Sequence, residues 1–157
     1  MSLEKNKAVV RSFFEALNNM KLDRLDEILA PDYVDDTLQI RGLENYKKAY
    51  AMLRKGIPDF HETVEDIIAK GDRVWALFRD TGTHKGELSV NLPSIGKVTI
   101  PPTGKKITFT AVAVWRVEKG KIKEKVPGVY DMLDFYKQLG VIEYTKKAKK
   151  IIPKTAP

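Results

Sequence analysis

Apolar positions along the chain follow two periods, and the change from one to the other falls near residue 58. Val10, Phe13, Phe14 and Leu17 recur at i, i+3, i+4 and i+7, which predicts an amphipathic helix over residues 3–19. Ser2 stands as its N-cap and Asn18-Asn19 as its stop. Leu22, Leu25, Ile28 and Leu29 share one face of a second, short helix that Pro31 closes. Tyr33-Val34 begins a brief strand carrying Asp35-Asp36. Leu43, Tyr46, Tyr50 and Leu53 predict a third helix over residues 43–55, ended by Gly56 and Pro58.

From there the pattern alternates. Residues 60–69 read as a strand through Thr63, Val64, Ile67 and Ile68, and Lys70-Gly71-Asp72 turns the chain. Residues 73–84 form the next strand. Residues 85–105 read as an inserted hairpin, an arm or rim, with residues 88–92 and 98–100 flanking Pro93-Ser94-Ile95-Gly96. The longest strand covers residues 107–117. It is apolar on both faces, with Phe109, Ala111, Ala113, Trp115 and Val117 on one and Val112 and Val114 on the other. Such a strand lies mid-sheet and is covered on both sides. Lys119-Gly120 supplies a tight turn, so residues 122–126 return antiparallel. A last helix runs over residues 131–139 and stops at Gly140.

Helices followed by a meander of long strands make one α+β domain over residues 1–157. The expected form is a curved, mostly antiparallel sheet wrapped around three N-terminal helices, with an internal pocket and a short C-terminal helix. The apolar outer face of the central strand predicts a homodimer through that face.

Composition narrows the function classes. The chain has 157 residues, enough for a real core, and 43% of them are hydrophobic. No run approaches the roughly 20 apolar residues a bilayer span needs, and residues 1–7 enter a helix pattern without a signal-like apolar stretch. No membrane partner is expected. With no cysteine there is no thiolate nucleophile or thiolate metal site, which suits the cytoplasm. The formal charge of +7 is concentrated in lysines 137, 146, 147, 149, 150 and 154, against the single acid Glu143. Residues 145–157 read as a solvated basic tail or as one that attracts nucleic acid or an anionic surface, and no zinc-finger, RRM or KH signature points to specific nucleic-acid binding.

The order and spacing of several stretches resemble the SnoaL-like polyketide cyclases, also called predicted ester cyclases, of the nuclear transport factor two-like fold. They begin with Asn6-Lys-Ala-Val-Val-Arg-Ser-Phe-Phe-Glu-Ala-Leu-Asn-Asn19, Leu29-Ala-Pro-Asp-Tyr-Val34, Gly42-Leu43 and Pro58-Asp59-Phe60. Val64-Glu-Asp-Ile67, Gly71-Asp-Arg-Val74, Thr81-Gly-Thr-His84, Pro102-Thr-Gly-Lys105 and Gly120-Lys-Ile122 follow. Asp131-Met-Leu133 and Gln138-Leu-Gly140 complete them. The resemblance implies an α+β cone, often dimeric, whose interior pocket closes rings by intramolecular aldol condensation. It implies an acidic residue as general acid/base and no metal or cofactor. In the family that acid ends the last strand in an E-x-W-x-x-x-D pattern. Here Glu124 matches, Val126 replaces the tryptophan at the pocket, and Asp131 falls one residue late. Asp36 replaces the family's histidine after the first strand, whereas His84 is kept.

Asp131 is therefore the leading candidate. A carboxylate whose pKa lies well above the ordinary ~3.9 can take an α-proton and return it to an alkoxide. The same position at a helix start makes Asp131 an N-cap, and both roles stay open. His84 can hydrogen-bond a substrate carbonyl or enolate oxygen, or bond a loop at the strand's end. Asp36 would add a second carboxylate near Asp131 and raise one pKa, though of the adjacent Asp35 and Asp36 only one can face the interior. His61 reads as surface. Two histidines far apart in sequence give no metal site. Tyr33, Tyr50, Phe78, Trp115 and Tyr130 are core by default, and those that line a pocket suit a flat, largely apolar ligand with a few polar groups.

Overall fold

The computed structural model describes residues 2–92, 96–143 and 145–146. The turn residues 93–95 and most of the lysine-rich tail lie outside the described residues, and with them the expectation of a solvated tail. Helix α1 (Leu3–Asn18) starts where the sequence puts it, with the Ser2 side chain accepting from the Lys5 N–H at 3.3 Å. It buries Val10, Phe13, Phe14, Ala16 and Leu17. The expected second helix is only a 3-10 turn (Leu22–Arg24) running into the single turn α2 (Leu25–Ile28). Leu29 already opens strand β1 (Leu29–Asp35), so Pro31 lies inside a strand instead of closing a helix. β1 pairs with the last strand only at Leu29 and from Val34 onward. A residue without an N–H fits that gap in the ladder.

The chain continues through β2 (Ile40–Arg41), α3 (Leu43–Gly56), β3 (His61–Lys70) and β4 (Arg73–Thr83). Then come β5 (Leu88–Leu92), β6 (Gly96–Ile100), β7 (Lys106–Glu118), β8 (Lys121–Tyr130) and α4 (Met132–Leu139). Six strands form one sheet in the order β2-β1-β8-β7-β4-β3, antiparallel except between β1 and β8. β7 is mid-sheet, as its two apolar faces predict. β5 and β6 pair only with each other, as an inserted hairpin.

α1, α3 and the inner face of the sheet enclose the core. Phe13, Phe14, Phe78 and Trp115 interlock there with ring centroids 5.2–6.2 Å apart. α4 closes one end. Its Phe135 meets Phe109 of β7 edge-on at 5.4 Å, and the Gln138 amide bonds both the N–H and the carbonyl of Thr108 at 2.7 Å. Gly140 ends it in the left-handed conformation, at φ 77°.

β8 is longer than its sequence pattern suggests, because it carries a bulge at Pro127-Gly128. Val126 pairs with Val114 and Val129 with Val112, so two residues of β8 oppose Ala113 alone. A Cβ at position 128 would run into the Val112 carbonyl, so glycine is required there. The bulge changes which side chains point inward. Strict alternation from Lys125 would send Tyr130 outward, but the bulge returns it to the inner face opposite Ala111.

The outer face of the sheet is open. Two cross-strand rows, Ile68–Trp75–Val114–Val126 and Leu77–Val112–Val129, form an apolar surface across four strands. Ile68 is 59% exposed and Val129 77% exposed. Lys70, Arg73, Arg116 and Glu124 border it on one side. No helix of the described residues is long and apolar enough to cross a membrane.

Candidate active site

Two carboxyl groups face each other inside the cone. Glu62 of β3 and Asp80 of β4 are direct cross-strand partners on the inner face. Asp80 is 3% exposed, and neither Asp80 Oδ1 nor Glu62 Oε2 has a hydrogen-bond partner among the described residues. The backbone that carries Glu62 is held from α1. The Asn18 side chain donates to the Glu62 carbonyl at 2.8 Å and accepts from its N–H at 2.9 Å. The sequence shows Asn18 only as a helix stop; in the structure it also clamps a strand.

A second acid and a base lie on β1 and β8, across β7 from the pair. Asp35 of β1 is fully buried, with Oδ1 accepting from the Leu38 N–H at 2.9 Å. Its Oδ2 lies 3.4 Å from the Lys125 ammonium of β8. Lys125 is the register partner of Trp115, and its Nζ sits 5.9 Å from the centre of the indole and 5.2 Å from that of Tyr130. The Tyr33 hydroxyl and the indole N–H of Trp115 are buried without a partner among the described residues, while the Tyr50 hydroxyl lies against Glu62 and Arg54 and that of Tyr130 against Lys125. α3 supplies Tyr50, and Arg54, whose guanidinium bonds the Phe60 carbonyl.

Burial shapes the electrostatics. It raises the Asp80 carboxyl to about 8, assisted by the negative charge of Glu62 and opposed by Lys125. Burial likewise raises Glu62 to about 7, against the pull of Lys125 and Arg54. Burial alone would push Lys125 down, but Tyr130, Asp35 and Tyr33 around it more than restore it, with Tyr130 also in hydrogen-bonding contact. Tyr33 and Tyr130 are pushed up by burial and stay neutral phenols. Near neutral pH the carboxyl pair thus holds one proton and one charge, an acid and a base side by side.

Raised carboxyl values leave a signature in stability. Unfolded carboxyls ionise near pH ~4. Above that the unfolded chain loses protons that Glu62 and Asp80 keep until about 7 and about 8. Stability should therefore fall from about pH 4 to about pH 8 and then level off. Asp80→Asn, which mimics the protonated form, should flatten the fall and raise the melting temperature at pH 9 by at least about 3 °C. Thermal melts of both proteins across this range check it.

The structure separates the residues that sequence reasoning grouped. Asp131 is exposed and caps α4, its Oδ1 accepting from the Asp134 N–H at 2.9 Å. It lies outside the buried cluster, while Tyr130, at the position of the family pattern's acid, points inward. Asp36 follows β1 with its N–H on the Lys125 carbonyl at 3.0 Å, so the interior carboxylate of that pair is Asp35. His84 is fully buried, with Nδ1 3.0 Å from Thr103 Oγ1 and its backbone bonded to Gly104 and Lys105. Burial lowers its pKa, so it is a neutral ring tied to a loop. No hydrogen bond or ion pair among the described residues joins it to the carboxyl pair. Val126 shares the outer face with Val114 and does not reach the interior. Tyr33, Tyr50, Phe78 and Trp115 are buried in the interior, the Tyr130 hydroxyl is buried with them, and His61 is exposed.

Glu62, Asp80 and Lys125 were missed. Asp80 sits in a strand whose alternation places it with Val74, Ala76 and Phe78, so an acid in an apolar register was the available signal. Lys125 is hidden among the four lysines of residues 119–125, and its pairing with Trp115 marks it. A surface depression of about 340 Å³ lies elsewhere, lined by Asp59, Thr81, Thr83, Lys106 and Thr108 at the end of the β4–β7 ladder. It contains none of these groups.

A curved sheet folded over helices, with ionisable groups converging inside, defines the class of cone-shaped α+β proteins with an interior site. The model of the SnoaL-like polyketide cyclase family matches residues 7–139, and the chain belongs to that family. A candidate polyketide cyclase from Bacillus cereus is 27% identical and superposes with a TM-score of 0.70, over 88% of this chain and 83% of that one. TsrD from Streptomyces laurentii, 22% identical, gives 0.75 over 90% and 99%. An epoxide hydrolase from Mycobacterium tuberculosis, of the LEH-like kind, is 20% identical and gives 0.66 over 88% and 92%. None of the curated proteins is a significant match to the chain.

Proposed function

We propose that the chain is an acid–base catalyst, a cyclase or isomerase, for a small hydrophobic carbonyl compound. The observation that carries this is the buried Glu62–Asp80 pair, poised to hold one proton near neutral pH. The ionised member takes a proton from the carbon next to a carbonyl. The protonated member delivers one to the oxygen or carbon where the reaction ends. Aromatic walls around the pair suit a flat substrate. Family membership and the candidate polyketide cyclase among its structural neighbours support a polyketide-like substrate.

The test is exchange of α-hydrogens of indanone in heavy water, followed by NMR. Catalysed exchange that vanishes in Asp80→Asn supports the proposal. Ligand binding without catalysed exchange, indifferent to that change, makes the chain a binding module on the same fold.

We also propose that the outer apolar face pairs two copies of the chain. Seven apolar residues framed by charged and polar rows have the layout of an interface core with its rim. Val112→Lys should convert a dimer to a monomer at micromolar concentration in sedimentation velocity. A wild-type chain that sediments as a monomer contradicts this.

A further inference from the structure

Proton removal leaves charge on a substrate, and that charge needs a partner which the carboxyl pair cannot be. Lys125 is placed to be it. It is a buried ammonium with three donors and, among the described residues, one acceptor within ion-pair distance, Asp35 Oδ2 at 3.4 Å. That separation exceeds the ~2.7–2.9 Å of a well-made charged hydrogen bond. The indole N–H of Trp115, its register partner, is a pure donor with no acceptor among the described residues. The Tyr33 hydroxyl is equally without a partner there, and the Tyr130 hydroxyl lies against the Lys125 ammonium. Buried donors left unmatched are costly, and one negatively charged oxygen would satisfy several at once.

We infer that Lys125 seats the enolate oxygen of the substrate. Asp35 is a positioning residue: its Oδ1 is fixed by Leu38 and its Oδ2 holds the ammonium inward. In the step, the α C–H bond breaks and the proton moves to the ionised carboxylate. The electron pair becomes the enolate double bond, with charge on the oxygen against Lys125. In ring closure the enolate carbon then attacks a second carbonyl, and the new alkoxide takes a proton from the protonated carboxyl. In isomerisation the proton returns to a different carbon. Either way charge and protons balance with no co-reactant. The inference rests on the acid–base reading for where the enolate arises, not for where it binds.

Binding of benzoylacetone tests it, read by the ultraviolet band of its enolate at a pH where the free compound is neutral. Lys125→Met alone leaves Asp35 buried without a counter-charge, so Asp35→Asn/Lys125→Met is made beside it, with circular dichroism to confirm folding. The wild-type chain should show the enolate band. The double variant should lose the band and bind about ten-fold or more weakly. Asp80→Asn should keep band and affinity while losing indanone exchange. Band and affinity retained in the folded double variant, or no enolate band with the wild-type chain, overturns the role of Lys125. Exchange retained in Asp80→Asn overturns the carboxyl-pair reading and leaves the band to decide Lys125.

Discussion

Asp80→Asn should lower the rate of α-hydrogen exchange by about 10²–10⁴-fold, the usual range for losing a positioned acid or base. The substitution keeps shape and polarity and removes only the exchangeable proton and the charge. Glu62→Gln should act in the same direction, because the charge of Glu62 helps hold the proton on Asp80 across the ladder. Asp131→Asn should leave the rate unchanged. Asparagine caps a helix as well as aspartate, and among the described residues the side chain of Asp131 bonds its own helix end alone. The wild-type rate should be bell-shaped in pH, highest between about 7 and about 8, where one carboxyl is protonated and its partner is not. A large loss in Asp131→Asn with none in Asp80→Asn would return the acid/base role to the helix cap.

The second large effect is on stability. Asp35→Ala should cost about 3–5 kcal/mol, because it strands the Lys125 ammonium in a buried site. It also removes the acceptor for the Leu38 N–H. Asp35→Asn/Lys125→Met should cost far less than Asp35→Ala, since it deletes both charges and keeps an acceptor for Leu38. Urea unfolding of the variants at pH 7 measures the difference. Equal costs for the two would mean that the pair is not electrostatically coupled.

What the chain discloses without coordinates follows from the range of each signal. Helix α1, its Ser2 cap and the central place of β7 were legible because they depend on neighbours a few residues away. α2 was overread, since four well-spaced leucines and isoleucines give a helical period even where Leu29 leaves for a strand. The aromatic interior was legible as composition, but its chemistry was not. Glu62, Asp80, Asp35 and Lys125 lie on four strands and converge only through register. One bulge, at Pro127-Gly128, decides that Tyr130 faces inward. Local pattern reading placed the functional acid one residue further on, at Asp131, where a helix start alone explains a carboxylate.

The most direct test is a pH titration of the two carboxyls by carbon NMR, with labelled aspartate and glutamate and with Asp80→Asn and Glu62→Gln to assign the signals. At least one of the two should remain protonated at pH 7, and in Glu62→Gln the Asp80 value should fall as its charged neighbour disappears. Two carboxyls that are both ionised by pH 5 would contradict it, and the interior of the cone would then hold no acid at the pH where the chain is asked to work.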